Sequence, residues 1–119
     1  VKDDNENIFV VGSKLSVLDQ LPDSEQKELL KEFKGAYEQE FGEEPDLFAA
    51  HVVDGVYAFV EAVKAGNTTA DEIHQYLAND LGAFLGVTGT YNFSESRISP
   101  EPDGISVLAI ENNTWKYIE

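Results

Sequence analysis

Residues 42–63, GEEPDLFAAHVVDGVYAFVEAV, open on acids and a proline, then turn almost wholly apolar around one histidine and one aspartate. Pro45 near the first turn and Gly66 beyond the end are the asymmetry of a helix, here spanning about 46–65. Leu47, Phe48, Val52, Val53, Val56, Tyr57, Phe59, Val60 and Val63 cover most of its circumference. A helix apolar on so many sides is expected to be buried on more than one of them. The reading is of a core helix around which the rest is built.

Upstream, Leu29, Leu30, Phe33, Tyr37 and Phe41 repeat at helical spacing, and Gly42 closes that helix. Pro22, Asp23 and Gln26 resemble its start, as a D-x-x-Q capping arrangement. Before it, NIFVVGS reads as a buried strand over 7–12 and KLSVLDQLPD as a connector. Downstream, Thr69 with Glu72 forms a capping box. Ile73, Tyr76 and Leu77 supply the inner stripe of a third helix ending near Asp80. GAFLGVTGTYNFS reads as a loop and then a strand at 88–93, and SESRISPEPDG as a loop. ISVLAIENNTWKYIE is a β-hairpin turning at Asn112-Asn113, residues that tolerate a left-handed backbone. The order is α/β, with too few strands for a complete doubly wound sheet.

The chain has 119 residues, the size of one domain or a piece of one, and 42% hydrophobic content. Its formal charge of -15 opposes nucleic acid and anionic membrane, whose recognition needs Lys and Arg. The densest acidic run, EQEFGEEPD, reads as a solvated helix end and loop. Without cysteine there are no disulfides, thiolate metal sites or thiol nucleophiles. No apolar run approaches the roughly 20 residues of a membrane span, and VKDDNENIF is unlike a signal peptide.

Candidate chemistry is sparse. His51 and Asp54, three apart, share a helix face, either as an acid–base or metal pair or as local hydrogen bonding at a helix interface. His74, on another helix, adds no H-x-x-x-H or H-E-x-x-H spacing. Gly12-Ser13-Lys14 lacks phosphate-loop spacing, and no calcium-loop pattern occurs. Gly86-Val87-Thr88-Gly89 reads as a tight bend, with amides that could face an anion. Asn67, Asn92 and Asn112 begin N-x-S/T triplets that matter only in eukaryotic secretion. Phe48 stands in the first turn of the core helix, where free backbone N–H groups can receive a carboxylate beside an aromatic wall.

A family pattern runs through these pieces. Phe33, Tyr37, Phe41, Gly42 and Pro45 fit F-x-x-x-Y-x-x-x-[FY]-G-x-x-P. Phe48-Ala49-Ala50 and Val53-Asp54-Gly55-Val56 follow as aromatic-A-A and Y-D-A-[VL]; then come Ala65-Gly66, Thr69 to Glu72, Gly86-Val87-Thr88-Gly89 and Phe93. In order and spacing the chain resembles the C-terminal portion of the type I periplasmic substrate-binding proteins of ABC importers, nearest the branched-chain amino-acid (Leu/Ile/Val) binding family. Val53 replaces the usual tyrosine, Gly55 the usual alanine, and SESRISPEPDG the usual glycine turn.

The resemblance implies a partial type I periplasmic-binding-protein fold with three helices, a leading strand and a closing β-hairpin. It also implies the last third or so of a non-enzymatic, two-lobed protein that captures amino acids or similar small solutes by hinge closure. Residues 1–21 would be strand and crossover, 22–100 a helical part of the first lobe, and 101–119 a returning hairpin. Phe48 would contact ligand, with no catalytic residue, metal or cofactor. The partner of the full-length protein would be an ABC permease, and the location periplasmic or extracellular and lipid-anchored. Uncovered strand edges make a homodimer of the fragment by strand exchange plausible. The alternative is the ligand-sensing domain of a receptor or regulator with the same fold.

Overall fold

Asp46 starts the central helix. Its backbone is extended, and its carboxylate accepts a hydrogen bond from the Ala49 N–H at 2.8 Å, as an N-cap residue does. In the computed structural model, which describes residues 8–95 and 100–118, this helix runs Leu47–Lys64 (α2). Its end is closed by Gly66 at φ 95°, with the Asn67 N–H on the Ala62 carbonyl.

The sequence-based expectation for α2 is corrected in its burial. Ala50, Asp54, Ala58 and Ala62, at successive four-residue steps, form its buried line. Phe48, Val52, Val56, Tyr57, Phe59 and Val63 are exposed. Small side chains let α2 sit close to its neighbours on one side, and nothing among the described residues covers the other.

α1 (Glu25–Phe41) buries Leu30 and Phe33 and ends at Gly42 in a left-handed turn, φ 73°. Its cap is Ser24 rather than the expected Asp23: the Ser24 hydroxyl accepts from the Lys27 N–H at 3.1 Å. Asp23 instead pairs with the Lys27 ammonium, and the Gln26 side-chain oxygen Oε1 accepts a bond from Lys14 Nζ at 2.7 Å. The connector before α1 is a 3-10 segment, Lys14–Gln20, kinked at Val17, that buries Val17 and Leu18. α3 (Ala70–Asn79) opens on the expected capping box, with Thr69 and Glu72 bonded reciprocally. Ile73, Tyr76 and Leu77 are half-buried.

Among the described residues five short strands complete the fold. β1 (Phe9–Gly12), the expected N-terminal strand but beginning two residues later and largely exposed rather than buried, pairs antiparallel with β4 (Ser106–Glu111), and β4 with β5 (Thr114–Tyr117). The β4–β5 turn is Asn112-Asn113, both left-handed at φ 51° and 62°. A separate hairpin joins β2 (Ala83–Leu85) to β3 (Thr90–Asn92). β2 falls in the stretch expected to be loop, and the expected strand at 88–93 is confined to 90–92. Residues 96–99 of the SESRISPEPDG loop, and residue 7 of the expected first strand, lie outside the described residues.

The core joins Val17, Leu18, Leu21, Leu30, Phe33, Ala50, Val87 and Leu108, drawn from the 3-10 segment and its C-cap, α1, α2, the 86–89 turn and β4. Gln20 fastens the three-stranded sheet to the 3-10 segment, donating to the Trp115 carbonyl and accepting from the Tyr117 N–H, each at 2.9 Å. Among the described residues sixteen large apolar side chains are exposed and ten apolar residues are buried. The radius of gyration, 16.8 Å, exceeds the roughly 13.5 Å of a compact domain of this length. The first observation leaves an apolar side open, and the second describes an extended body.

Candidate functional site

Asp54 is 3% exposed, and a buried carboxylate must be satisfied. The turn Gly86–Gly89 satisfies it: Asp54 Oδ1 accepts from the Val87 N–H at 2.5 Å, and Oδ2 from the Thr88 N–H at 2.9 Å and the Thr88 hydroxyl at 2.6 Å. Two amides of this turn, those of Val87 and Thr88, do meet an anion, and it is the chain's own. The same residues are the tight bend of the β2–β3 hairpin, with the Gly86 N–H on the Gly89 carbonyl. Gly89, at φ 156°, brings the turn so near Gly104 that a β-carbon would stand 2.6 Å from the Gly104 Cα. Asp103 adds a second tie, accepting from the Thr90 N–H and hydroxyl at 3.2 and 2.7 Å.

His51 and Asp54 are linked only through this turn. His51 Nδ1 lies 3.2 Å from Thr88 Oγ1 and 3.1 Å from the Tyr91 hydroxyl, and that hydroxyl lies 2.6 Å from Thr88 Oγ1. Burial, reinforced by the nearby Asp54 charge, outweighs the Thr88 bond and pushes the Tyr91 phenol above its usual range. Of the two readings of the pair, hydrogen bonding at an interface describes the geometry. The sequence reading missed Thr88 and Tyr91 as its members; the available signal was the single hydroxyl inside G-V-T-G.

A shallow groove of about 260 Å³ lies above the turn, walled by Val11, Ser13, Leu47, His51, Thr88 and Ile105 among others. It collects the end of β1, the first turns of α2 and the segment before β4. Phe48 is 79% exposed and is not a wall of this groove. By spacing it heads the exposed stripe through Val52, Val56 and Phe59. The α2 N-terminus already holds an anion, since the Asp46 carboxylate caps it.

The other candidates are committed elsewhere. Ser13 Oγ caps the 3-10 segment at Leu15, and Lys14 is held by Gln26, so Gly12-Ser13-Lys14 is no phosphate cradle. Among the described residues, no three His, Asp or Glu are grouped to hold a metal, and no helix is long and apolar enough to cross a membrane. His74 is exposed on α3.

No protein-family model matches the sequence, and no curated protein matches it. Solved structures do. Rp1789 of Rhodopseudomonas palustris (strain CGA009) superposes with a TM-score of 0.77 at 19% identity, over 99% of this chain and 36% of its own. An extracellular ligand-binding receptor from Rhodopseudomonas palustris HaA2 gives 0.73 at 19% identity, over 97% and 35%. An ABC transporter substrate-binding protein from Desulfitobacterium hafniense, in complex with Leu, gives 0.58 at 22% identity, over 92% and 30%.

The chain carries part of a type I periplasmic-binding-protein fold. It spans about a third of the length of the structures it matches. At these identities the likeness is one of fold. Within this partial fold the outer face of α2 is exposed.

Proposed function

We propose that this chain is the C-terminal part of a solute-binding protein that captures amino acids or similar small solutes by hinge closure and delivers them to an ABC permease. The observation that carries the reading is the pair of coverages: nearly all of this chain superposes on about a third of ligand-binding receptors and of a substrate-binding protein. The open apolar side supports it, because a lobe cut from a larger body exposes surface that the remainder would cover. In this reading the protein is not an enzyme and lies outside the cytoplasmic membrane. Residues 1–21 are strand and crossover, 22–100 belong to the first lobe, and 101–119 return as a hairpin; the β1–β4 pairing supports placing both ends in one hinge-side sheet. Phe48 is the aromatic that reaches ligand when the second lobe is present.

Calorimetry on the full parent protein and on this chain, each titrated with L-leucine and then other amino acids, tests the proposal. The parent should bind and the chain alone should give little heat, since a cleft needs both lobes. Micromolar binding by a monomer of this chain would sink it.

The second reading, a ligand-sensing domain of a receptor or regulator, is supported by neighbours that are described as extracellular ligand-binding receptors. The parent reading frame separates the two. A lipid-anchor signal favours transport, and a membrane span joined to a kinase or DNA-binding region favours sensing.

A further inference from the structure

The hydrogen bonds around Thr88 admit one complete proton assignment. A carboxylate only accepts, so the Thr88 hydroxyl, 2.6 Å from Asp54 Oδ2, gives it its single proton. The Tyr91 hydroxyl, 2.6 Å from Thr88 Oγ1, must then donate to that oxygen. His51 Nδ1 faces these two oxygens at 3.1 and 3.2 Å, and both their protons are already directed elsewhere. Nδ1 therefore carries the proton and donates. In a neutral imidazole that leaves Nε2 as a bare acceptor.

We propose that His51 is the polar anchor of a small-solute subsite in the groove, held as the Nδ1–H tautomer so that Nε2 accepts a hydrogen bond from an ammonium group on a short apolar chain. Val11, Leu47 and Ile105 supply apolar walls for the chain. The overall field favours the ammonium: the protein carries a net charge of -15, although near the groove Glu44 is paired with Lys34 and Asp46 caps α2. The ligand class deepens the solute-binding reading and rests on it. The tautomer rests on the hydrogen bonds alone.

The test is long-range proton–nitrogen NMR of the two histidine rings at about pH 8.5, where imidazoles are neutral. His51 should show the Nδ1–H pattern, with exposed His74 as internal reference. Thr88→Val removes the acceptor of the Tyr91 proton, which then turns to Nδ1, and His51 should flip to the Nε2–H form. Tyr91→Phe leaves the Thr88–Asp54 bonds in place and should keep the Nδ1–H form, so the assignment stays readable even where Thr88→Val does not fold.

Adding 3-methylbutylammonium to the full parent protein, where both lobes complete the cleft, should then move the His51 Nε2 resonance and leave His74 unmoved, whereas 3-methylbutanoate moves neither. An Nε2–H pattern in the unmodified chain overturns the proposal. So does a response to the carboxylate, or none to the ammonium. Failure of the parent protein to bind amino acids would remove the solute-binding reading and leave the tautomer result standing.

Discussion

The carboxylate of Asp54 stands where a side chain on residue 86 would begin: a β-carbon on Gly86 would lie 2.6 Å from both Asp54 Cγ and Oδ1. One glycine and one aspartate, 32 positions apart in sequence, therefore define a single contact that joins α2 to the β2–β3 hairpin.

Breaking that contact from either side should cost similar stability. Asp54→Asn exchanges an accepting oxygen for an amide among buried donors, an expected loss of about 1–3 kcal/mol, and Gly86→Ala displaces the carboxylate. In urea denaturation the double variant should lose less than the sum of the two singles, because both act on one contact. Additive losses would mean that the clamp is not shared.

On α2 the small residues should matter more than the large ones. Ala58→Leu or Ala62→Leu overpacks the buried line and should cost about 1–3 kcal/mol. Val52→Lys or Phe59→Lys, on the open side, should stay within about 0.5 kcal/mol in the isolated chain. Thermal unfolding of the four variants distinguishes this order from its reverse.

Ser106 buries its hydroxyl with no partner among the described residues. Ser106→Ala should therefore raise stability by about 1 kcal/mol, the cost of an unmade bond to a buried polar group. A decrease in midpoint would show that the hydroxyl is satisfied in solution.

Acid should loosen α3 first at its cap. Backbone N–H bonds from Thr68 and Thr69 hold the Glu72 carboxyl below its ordinary value. A depressed folded-state pKa gives stability that is present above the unfolded value of 4.5 and is lost as pH falls through the folded one. Helix content followed by circular dichroism should fall earlier on acidification in the parent chain than its Glu72→Gln variant predicts, since glutamine has no charge to lose.

Local chemistry was legible where it acts within a turn or two. The Thr69–Glu72 box, the ends of α2 and the Asn112-Asn113 turn are written in adjacent residues and occur as read. β2 was not legible, because three residues between glycines carry no periodicity and depend on β3 for their bonds. The cap of α1 was misplaced by one residue because Asp23 and Ser24 are both good caps, and only the Lys27 geometry chooses. The burial of α2 was overestimated for a different reason. Periodicity reports which faces are apolar, and burial also requires a neighbour to cover them. Asp54 and His51 were legible as residues of interest, but their partners lie more than 30 positions downstream.

The pairing of Phe9 with Ala109 has a kinetic consequence. The pairing closes a span of a hundred residues, so it carries a larger loop-closure entropy than the local contacts of the helices and the β2–β3 hairpin. The three helices and the β2–β3 hairpin can form from contacts within their own stretch of chain, whereas the sheet waits. Within this stretch β1 is translated before β4, so that apolar strand lacks this strand partner until β4 has left the ribosome.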